Sequence, residues 1–417
     1  MSQKDPRNEK IWTSSFLILW QGQLVSTLGD SMYSIALGFW VLAVTGSTAL
    51  MGTLMAASTL PGVLVSPFAG VLVDKNNRKN LLILMDFIRG ISITLIAFAA
   101  YKGFIAIWMV FAAGIMLSIC GAIFRPGVNS SIPDLVPTSK ITNANSIFAM
   151  VTTGSNMLGN AAGGFLFQML GAPFMFLFNG LSYLFSGCSI FFVNIPRIEK
   201  KSEQLFINDL KDGFSFVWKL KGLRNVIIIA AFINFFFFTA FILLLPLFQR
   251  TPDLGSGKYG VAMACFMGGA MAGFLLISMI KIPPFGKFYI FIISNAISNI
   301  CLIIFANQHM FAIMALMAFV GGVFNSIVNV LIISSVQIAT PQEMRGKVLA
   351  LMSMVTQGLT PFAMALGGVL GGFIPIRTIM TVSFIVMLVV ITPFTFNKTL
   401  KRFINFDFEK ETLEDIM

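Results

Sequence analysis

Long uninterrupted apolar runs, such as 225–248 and 378–396, restrict the fold of this chain more than any other feature. A helix needs about 20 apolar residues to cross a bilayer. Only helices and closed β-barrels satisfy their backbone polar groups inside lipid. Barrel strands are short and alternate in hydropathy, whereas these runs are continuous. The sequence therefore predicts an all-α integral membrane protein.

Composition agrees with a membrane location. Apolar residues make up 57% of the 417 positions and charged residues 11%, against about 25% charged residues in soluble domains. At about 20 residues a span, the length holds about twelve transmembrane helices. The predicted spans are 12–42, 47–73, 80–101, 104–124, 144–169, 174–194, 225–248, 258–280, 288–306, 309–332, 347–374 and 378–397.

The basic residues lie in short loops between these runs and predict the orientation. With a cytoplasmic N-terminus, about 23 of the 28 lysines and arginines face the cytoplasm and about four face outside. We therefore expect a multi-pass protein of the cell (plasma) membrane with both termini cytoplasmic. The first run is too long for a cleaved signal. We expect a monomer in the lipid bilayer with a small-molecule substrate. The net charge of +11 does not predict nucleic-acid binding, because it resides in these loops.

The two parts of the chain repeat. A shift of 204 residues aligns Met150-Val151-Thr152 with Met354-Val355-Thr356 and Gly163-Gly164 with Gly367-Gly368. Parallel repeats are typical of transporters whose halves rock about a central site, and a duplicated scaffold without transport is the alternative. The predicted division is a six-helix half over 1–194, a cytoplasmic linker over 195–224, a six-helix half over 225–397 and a cytoplasmic tail over 398–417.

The linker contains apolar residues at helical spacing, among them Phe214 and Val217, with Trp218 and Lys219 beside them. This pattern predicts a helix that lies on the cytoplasmic membrane surface. A plain solvated linker is the alternative.

Asp30 lies well inside the first span, where a carboxylate is costly. A low dielectric favours the neutral, protonated form of a carboxyl group, which suits proton coupling or an anchor for a cationic substrate. The alternative is a hydrogen bond with no transport role. We expect Asp30 to face a central cavity between the halves, with Asn156, Asn234 and Gln357 as candidate partners. Asp86 and Arg89, three residues apart, are interpreted as a structural pair.

Polar and small residues follow two faces of the predicted fifth helix. Thr152, Asn156 and Asn160 recur every four residues, and Gly159 and Gly163 follow the adjacent face, where small residues let helices pack closely. The candidates for the substrate cavity are Asp30, Tyr33, Asn156, Asn160, Asn234 and Gln357. The candidates for helix packing or gating are Gly154, Gly159, Gly163, Gly164, Gly358, Gly367 and Gly368.

The predicted second and third helices are joined by a loop that reads Gly70-Val-Leu-Val-Asp74-Lys-Asn-Asn-Arg78. A glycine permits close helix approach, and a carboxylate beside cations forms a network that can hold one conformation. Gly70, Asp74 and Arg78 are thus predicted as a conformational latch that breaks during turnover. A merely charged turn is the alternative.

These motifs resemble the major facilitator superfamily, and in particular its macrolide-efflux and enterobactin-exporter branch. The resemblance rests on Gly29-Asp30, the Asp74/Arg78 loop and Pro341-Gln-Glu-Met-Arg345. It implies the major facilitator fold, with twelve transmembrane helices in two pseudo-symmetric six-helix halves. It also implies proton-coupled efflux of amphipathic molecules, either macrolide-like drugs or siderophore-like metabolites, by alternating access, and hence drug resistance.

Two motifs depart from the family pattern. Gly159-Asn160-Ala-Ala-Gly163-Gly164 resembles the antiporter signature G-P-x-x-G-G with asparagine in place of proline. The arginine that many proton-coupled members carry within the fourth helix is absent, and Arg125 lies at the cytoplasmic end of that helix. An importer or a metal exporter of the same fold, or a non-transporting sensor or scaffold, therefore remains open as an alternative.

Chemistry beyond transport has little support in the sequence. The chain has one histidine, and its four cysteines lie within apolar runs without CxxC spacing. We expect no enzyme activity, no catalytic residues, no metal site and no cofactor, with the proton gradient as the driving force.

Overall fold

The computed structural model describes residues 11–137, 140–194, 206–280, 283–395 and 397–406, and within these ranges all regular structure is helical. Asp74, the predicted latch carboxylate, lies in a helix, but its side chain is outside the described residues. The first six helices are α1 (Ser14–Thr45), α2 (Thr48–Ala57), α3 (Leu60–Lys75), α4 (Arg78–Lys102), α5 (Ile107–Leu135) and α6 (Ile141–Ile190). The remaining helices are α7 (Phe206–Lys219), α8 (Lys221–Phe241), α9 (Leu244–Arg250), α10 (Gly255–Met279), α11 (Pro284–Asn307), α12 (Phe311–Ile338), α13 (Gln342–Gly358), α14 (Thr360–Leu370), α15 (Ile376–Thr395) and α16 (Lys398–Ile404).

Eleven segments of the described chain are long and apolar enough to cross a membrane. One of them, 143–190, has 48 residues, more than twice the length that one crossing needs. Gly171 interrupts its helical backbone with φ 72° and ψ 173°, between the predicted spans 144–169 and 174–194. If this break separates two crossings, the number of spans is the predicted twelve. The all-α membrane fold is confirmed, and the number twelve stays a prediction.

Local sequence explains where several helices begin and end. Asn77 begins α4, and its side chain accepts a hydrogen bond from the backbone N–H of Asn80, at 3.3 Å. Gly103 ends this helix in the left-handed conformation, with φ 79°. The fourth predicted span ends at residue 124, but helix α5 continues beyond this residue, through Pro126 and Pro133. Helices in lipid tolerate such prolines because neighbouring groups satisfy the freed carbonyls.

The described chain forms two compact units. The described residues before 45 and from 57 to 203 form the N-terminal unit, and the described residues from 45 to 56 and after 203 form the C-terminal unit. The boundary at 203/204 falls within the predicted linker, whereas the assignment of 45–56 to the C-terminal unit departs from a simple division of the chain. The prediction of two six-helix halves is not decided by this division.

Each unit has its own apolar core. Phe16, Leu82 and Phe124 belong to the core of the N-terminal unit. The core of the C-terminal unit includes Val217 and Leu223 from either side of the α7–α8 junction. Helix α7 therefore packs into the C-terminal unit along one face, while Trp218 on its other face remains 57% exposed. Its predicted location on the membrane surface stays a prediction.

Candidate functional site

Asp30 lies on α1 at a point of close contact with α6. The preceding residue, Gly29, has no side chain, and a Cβ placed there would lie 2.6 Å from Asn179 Oδ1 and 2.7 Å from Ser182 Oγ. Any larger residue would push the two helices apart. The Gly29-Asp30 pair thus combines a packing position with a carboxyl group.

The Asp30 side chain is half-buried and turned toward the interior of the N-terminal unit. The hydroxyl of Tyr183 on α6 donates a hydrogen bond to Asp30 Oδ1. Tyr183 itself is only 2% exposed. The partner of Asp30 in the structure is therefore Tyr183, which the sequence analysis did not single out.

Behind Tyr183 lies a buried ion pair, as the spacing of Asp86 and Arg89 predicts. Arg89 Nη2 donates to Asp86 Oδ1, and the side chains of Arg89 and Asp86 are 6% and 0% exposed. The guanidinium carbon of Arg89 lies 4.2 Å from the ring centroids of both Phe124 and Tyr183. The side chain of Tyr183 therefore connects Arg89 to the carboxyl group of Asp30.

We define the coupling cluster as Asp30, Asp86, Arg89 and Tyr183. It holds two carboxyl groups, one permanent cation and the hydroxyl of Tyr183. This hydroxyl binds Asp30, while the ring that carries it lies against Arg89. Carboxyl groups can bind and release protons, whereas an arginine stays charged. The cluster is thus chemically able to hold an exchangeable proton.

A polar face of α6 could have pointed to Tyr183 in the sequence. Asn179, Ser182 and Ser186 recur at spacings of three and four around it, and all three are at most 3% exposed. Polar residues at this spacing in an apolar helix face a helix neighbour. The identity of that neighbour depends on the three-dimensional arrangement of helices, so α1 and α4 could not be named in advance.

The other predicted cavity residues of the N-terminal unit lie close to α1. Ser31 Oγ donates to Asn156 Oδ1 at 2.8 Å, and Asn160 Nδ2 donates to the carbonyl of Asn156 at 2.7 Å. Asn156 is exposed and Asn160 is half-buried. Tyr33 is 6% exposed, and its hydroxyl has no hydrogen-bond partner among the described residues. Asn156 therefore contacts Ser31, the residue that follows Asp30 in the sequence.

Glycines of α6 make the close packing with α1. A Cβ on Gly163 would lie 2.5 Å from Ile35 Cδ1, and a Cβ on Gly159 would lie 3.3 Å from the Leu28 carbonyl oxygen. Gly164 is buried, whereas Gly154 has open space where its Cβ would be. Three of the four glycines predicted here are thus enclosed by neighbouring atoms.

Arg78 of the predicted latch has a partner on α5, and the role of the latch stays a prediction. Arg78 is 9% exposed and donates to Asp134 Oδ2 at 2.8 Å and to the Ser130 carbonyl at 3.0 Å. Asp134 lies near the end of α5, which the predicted span did not reach. A Cβ on Gly70 would meet no described atom within 4 Å, and the role of this glycine stays a prediction.

The C-terminal unit holds the remaining predicted residues. Asn234 on α8 has a buried side-chain oxygen without a partner among the described residues, and Gln357 on α13 is exposed. A cavity shared by Asp30, Asn234 and Gln357 stays a prediction.

The glycines of α14 pack against two helices of the same unit. A Cβ on Gly367 would lie 2.7 Å from Ile242 Cγ2, and a Cβ on Gly368 would lie 2.6 Å from the Cα atom of Gly52 on α2. Gly358 is half-buried. The Gly367-Gly368 pair therefore joins segment 45–56 to the C-terminal unit through backbone contact.

No group of three or more metal-ligating side chains occurs in the part of the chain that the structure describes.

Comparison with known proteins identifies the family. The model of the family described as "Transmembrane secretion effector" matches residues 10–407. The chain belongs to this family of major facilitator transporters. Macrolide efflux protein A of Streptococcus pyogenes is 24% identical over 271 residues, which are 63% of this chain and 67% of that protein. A putative bacilysin exporter of Bacillus amyloliquefaciens is 26% identical over 388 residues, 88% of this chain and 90% of that one.

Solved structures confirm the fold. A bacterial homologue of the human lysosomal transporter Spinster has a TM-score of 0.70 at 14% identity, covering 94% of this chain and 98% of that one. A bacterial homologue of the iron transporter ferroportin has a TM-score of 0.71 at 14% identity, covering 92% and 98%. The predicted major facilitator assignment is thus confirmed, and the protein is a multi-pass membrane transporter.

Proposed function

We propose that this transporter exports amphipathic small molecules in exchange for protons, by alternating access, and that Asp30 carries the proton. The observation that carries the proposal is the position of Asp30: a half-buried carboxyl group within the first span, hydrogen-bonded to Tyr183, whose ring lies against Arg89. An intramembrane carboxylate is retained at considerable energetic cost, which a transport role explains.

Export is favoured by the names of the relatives, which include macrolide efflux proteins and a putative bacilysin exporter. A macrolide is an amphipathic molecule, with an apolar body and a few polar groups. We propose substrates of this class, and a monomer in the plasma membrane with both termini cytoplasmic. An importer would require the opposite direction, which the same assay detects.

The experiment is uptake of radiolabelled erythromycin into inside-out vesicles from a pump-deficient bacterium that expresses the full chain. An imposed gradient with an acidic interior should drive accumulation, and a protonophore should abolish it. Accumulation that persists without the gradient would contradict proton coupling. An absence of erythromycin accumulation would remove macrolides from the substrate class.

Asp30→Asn keeps the shape and hydrogen bonding of the side chain but removes the titratable proton. It should abolish gradient-driven accumulation at equal expression. Asp253→Asn is the matched control, because Asp253 lies between α9 and α10 in the left-handed conformation that asparagine tolerates. The control should transport as the wild type does.

A further inference from the structure

The charges of the coupling cluster do not balance. Asp30 and Asp86 supply two carboxyl groups and Arg89 supplies one cation. With both carboxyl groups ionised and Tyr183 neutral, the cluster would carry one net negative charge inside an apolar unit. Buried charges without a counter-charge are expensive. One bound proton makes the cluster neutral, so its composition favours the uptake of a single proton.

Arg89 is held in place from three sides. Asp86 accepts its hydrogen bond, and the rings of Phe124 and Tyr183 lie against the guanidinium at 4.2 Å. Cation–π contacts of this kind fix a guanidinium without neutralising it. Tyr183 therefore contacts both Arg89 and Asp30: its ring lies against Arg89, and its hydroxyl donates a hydrogen bond to Asp30.

Other charged or titratable groups around Asp30 come from each helix packed against it. Tyr33 lies on the same helix, Tyr183 on α6, Arg89 on α4 with Asp86 beyond it, and Arg125 on α5. Cys120 on α5 is near Arg89. Arg125 is exposed, whereas Arg89 is 5% exposed. Because solvent screens exposed charges, Arg89 is the cation that acts most strongly on Asp30.

We infer that Arg89 is a positioning residue for the proton of Asp30: its fixed charge stabilises the ionised carboxylate, Asp86 competes for that charge, and Tyr183 transmits the alignment through its hydroxyl. This inference rests on the proposed function of Asp30, and it assigns the Asp86–Arg89 pair a role beyond the structural one that its spacing predicts. The pair sets the pH at which Asp30 releases its proton.

Opposite effects from the two members of one ion pair are the distinctive consequence. Loss of Arg89 removes the attraction on ionised Asp30, so proton release moves to higher pH. Loss of the Asp86 charge removes the competitor for Arg89, so the cation attracts only the carboxylate of Asp30. Proton release from Asp30 then moves to lower pH. A purely structural pair would give no such opposition, because either change would only loosen the packing.

The test measures protonation directly. The purified full chain in lipid nanodiscs is titrated while infrared difference spectroscopy records the protonated carboxyl band, and the part of the band lost in Asp30→Asn is assigned to Asp30. The main variant is the double substitution Asp86→Asn and Arg89→Gln, since it removes both buried charges together and leaves neither unpaired. Asp86→Asn alone and Tyr183→Phe complete the set.

We expect the double variant to shift the midpoint toward higher pH by up to about one unit, which is less than the loss of a nearby opposite charge alone produces, because the repulsion from Asp86 is removed together with Arg89. Asp86→Asn should shift it toward lower pH, and Tyr183→Phe toward higher pH by a smaller amount. Arg125→Gln is the matched control for loss of one positive charge and should give the smallest shift.

A midpoint in the double variant equal to that of the wild type would overturn the inference. Shifts of the same sign in the double variant and in Asp86→Asn would also overturn it, as would an Asp30 band that does not titrate. The erythromycin assay separates this failure from that of the proposed function. If transport is driven by protons but the double variant shows no shift, only the role of Arg89 is contradicted. If the expected shifts occur but transport is not driven by protons, only the proposed function is contradicted.

Discussion

The buried polar side chains of the N-terminal unit include Arg78, Asp86 and Arg89, whereas those described in the C-terminal unit are all neutral amides and hydroxyls. In the C-terminal unit, α11 buries Ser294, Asn295, Ser298 and Asn299. Two units built from the same kind of helices thus differ in the charge they enclose. Neutral polar groups need only hydrogen-bond partners, while charged groups also need counter-charges.

The sequence repeat shows which residues account for the difference in charge between the two units. At the offset of 204 residues, Asp30 corresponds to Asn234 and Tyr183 corresponds to Met387. Asn234 cannot exchange a proton at physiological pH, and Met387 cannot donate a hydrogen bond. We interpret the N-terminal unit as the part that responds to protons and the C-terminal unit as a neutral counterpart, and the predictions that follow test this division.

The largest expected effect separates Asp30 from Asn234. Asp30→Asn should reduce gradient-driven erythromycin accumulation to the level of vesicles without the protein. Asn234→Ala should reduce it by about threefold at most, the change that about 0.6 kcal/mol for one hydrogen bond within a membrane would cause. Initial rates measured at equal expression provide the comparison. Equal losses in both variants would mean that the two units share the coupling role.

The second prediction concerns stability. Arg89→Gln leaves the buried carboxylate of Asp86 without its partner and should lower the free energy of unfolding by about 3–5 kcal/mol. The double variant with Asp86→Asn should recover most of this loss. Denaturant unfolding in mixed micelles measures both. A double variant as unstable as Arg89→Gln would show that packing against Phe124, not charge, explains the effect.

The fold could be predicted from the sequence better than the coupling cluster could, for a physical reason. Apolar runs determine where helices form in lipid, and the Gly171-Ala-Pro173 segment breaks the longest run where the structure breaks it. The hydrogen bond from Tyr183 to Asp30 joins residues 153 positions apart, so it depends on which helices are neighbours. The same holds for Asp134, which pairs with Arg78 because α5 continues past its prolines.

Helix packing beside Asp30 gives the third prediction. Gly29→Ala places a Cβ against Asn179 and Ser182 and should destabilise the protein by about 1–3 kcal/mol, as overpacking usually does. Gly154→Ala is the matched control on α6, where open space surrounds the new Cβ, and it should stabilise the protein by about 0.5–1 kcal/mol because alanine loses less backbone freedom than glycine in a helix. Thermal unfolding in detergent measures both variants. Equal midpoints would contradict the close approach of α1 and α6.

The smallest expected effect concerns an ion pair of the C-terminal unit. Lys347 Nζ lies 2.7 Å from Asp212 Oδ2, and their side chains are 26% and 58% exposed. The contact joins α7 to α13, where a Cβ on Gly213 would lie 3.2 Å from the Lys347 carbonyl oxygen. Water competes for both groups, unlike the groups of the Asp86–Arg89 pair.

A double-mutant cycle with Lys347→Gln and Asp212→Asn should therefore give a coupling of about 0–1 kcal/mol. The coupling should weaken further in high salt, because exposed charges are screened over about 10 Å at 0.1 M. Transport should keep its pH dependence in both single variants, since neither residue belongs to the coupling cluster. A coupling comparable to that of the buried pair, or a displaced pH dependence of transport, would mean that the C-terminal unit also uses charge in the transport cycle.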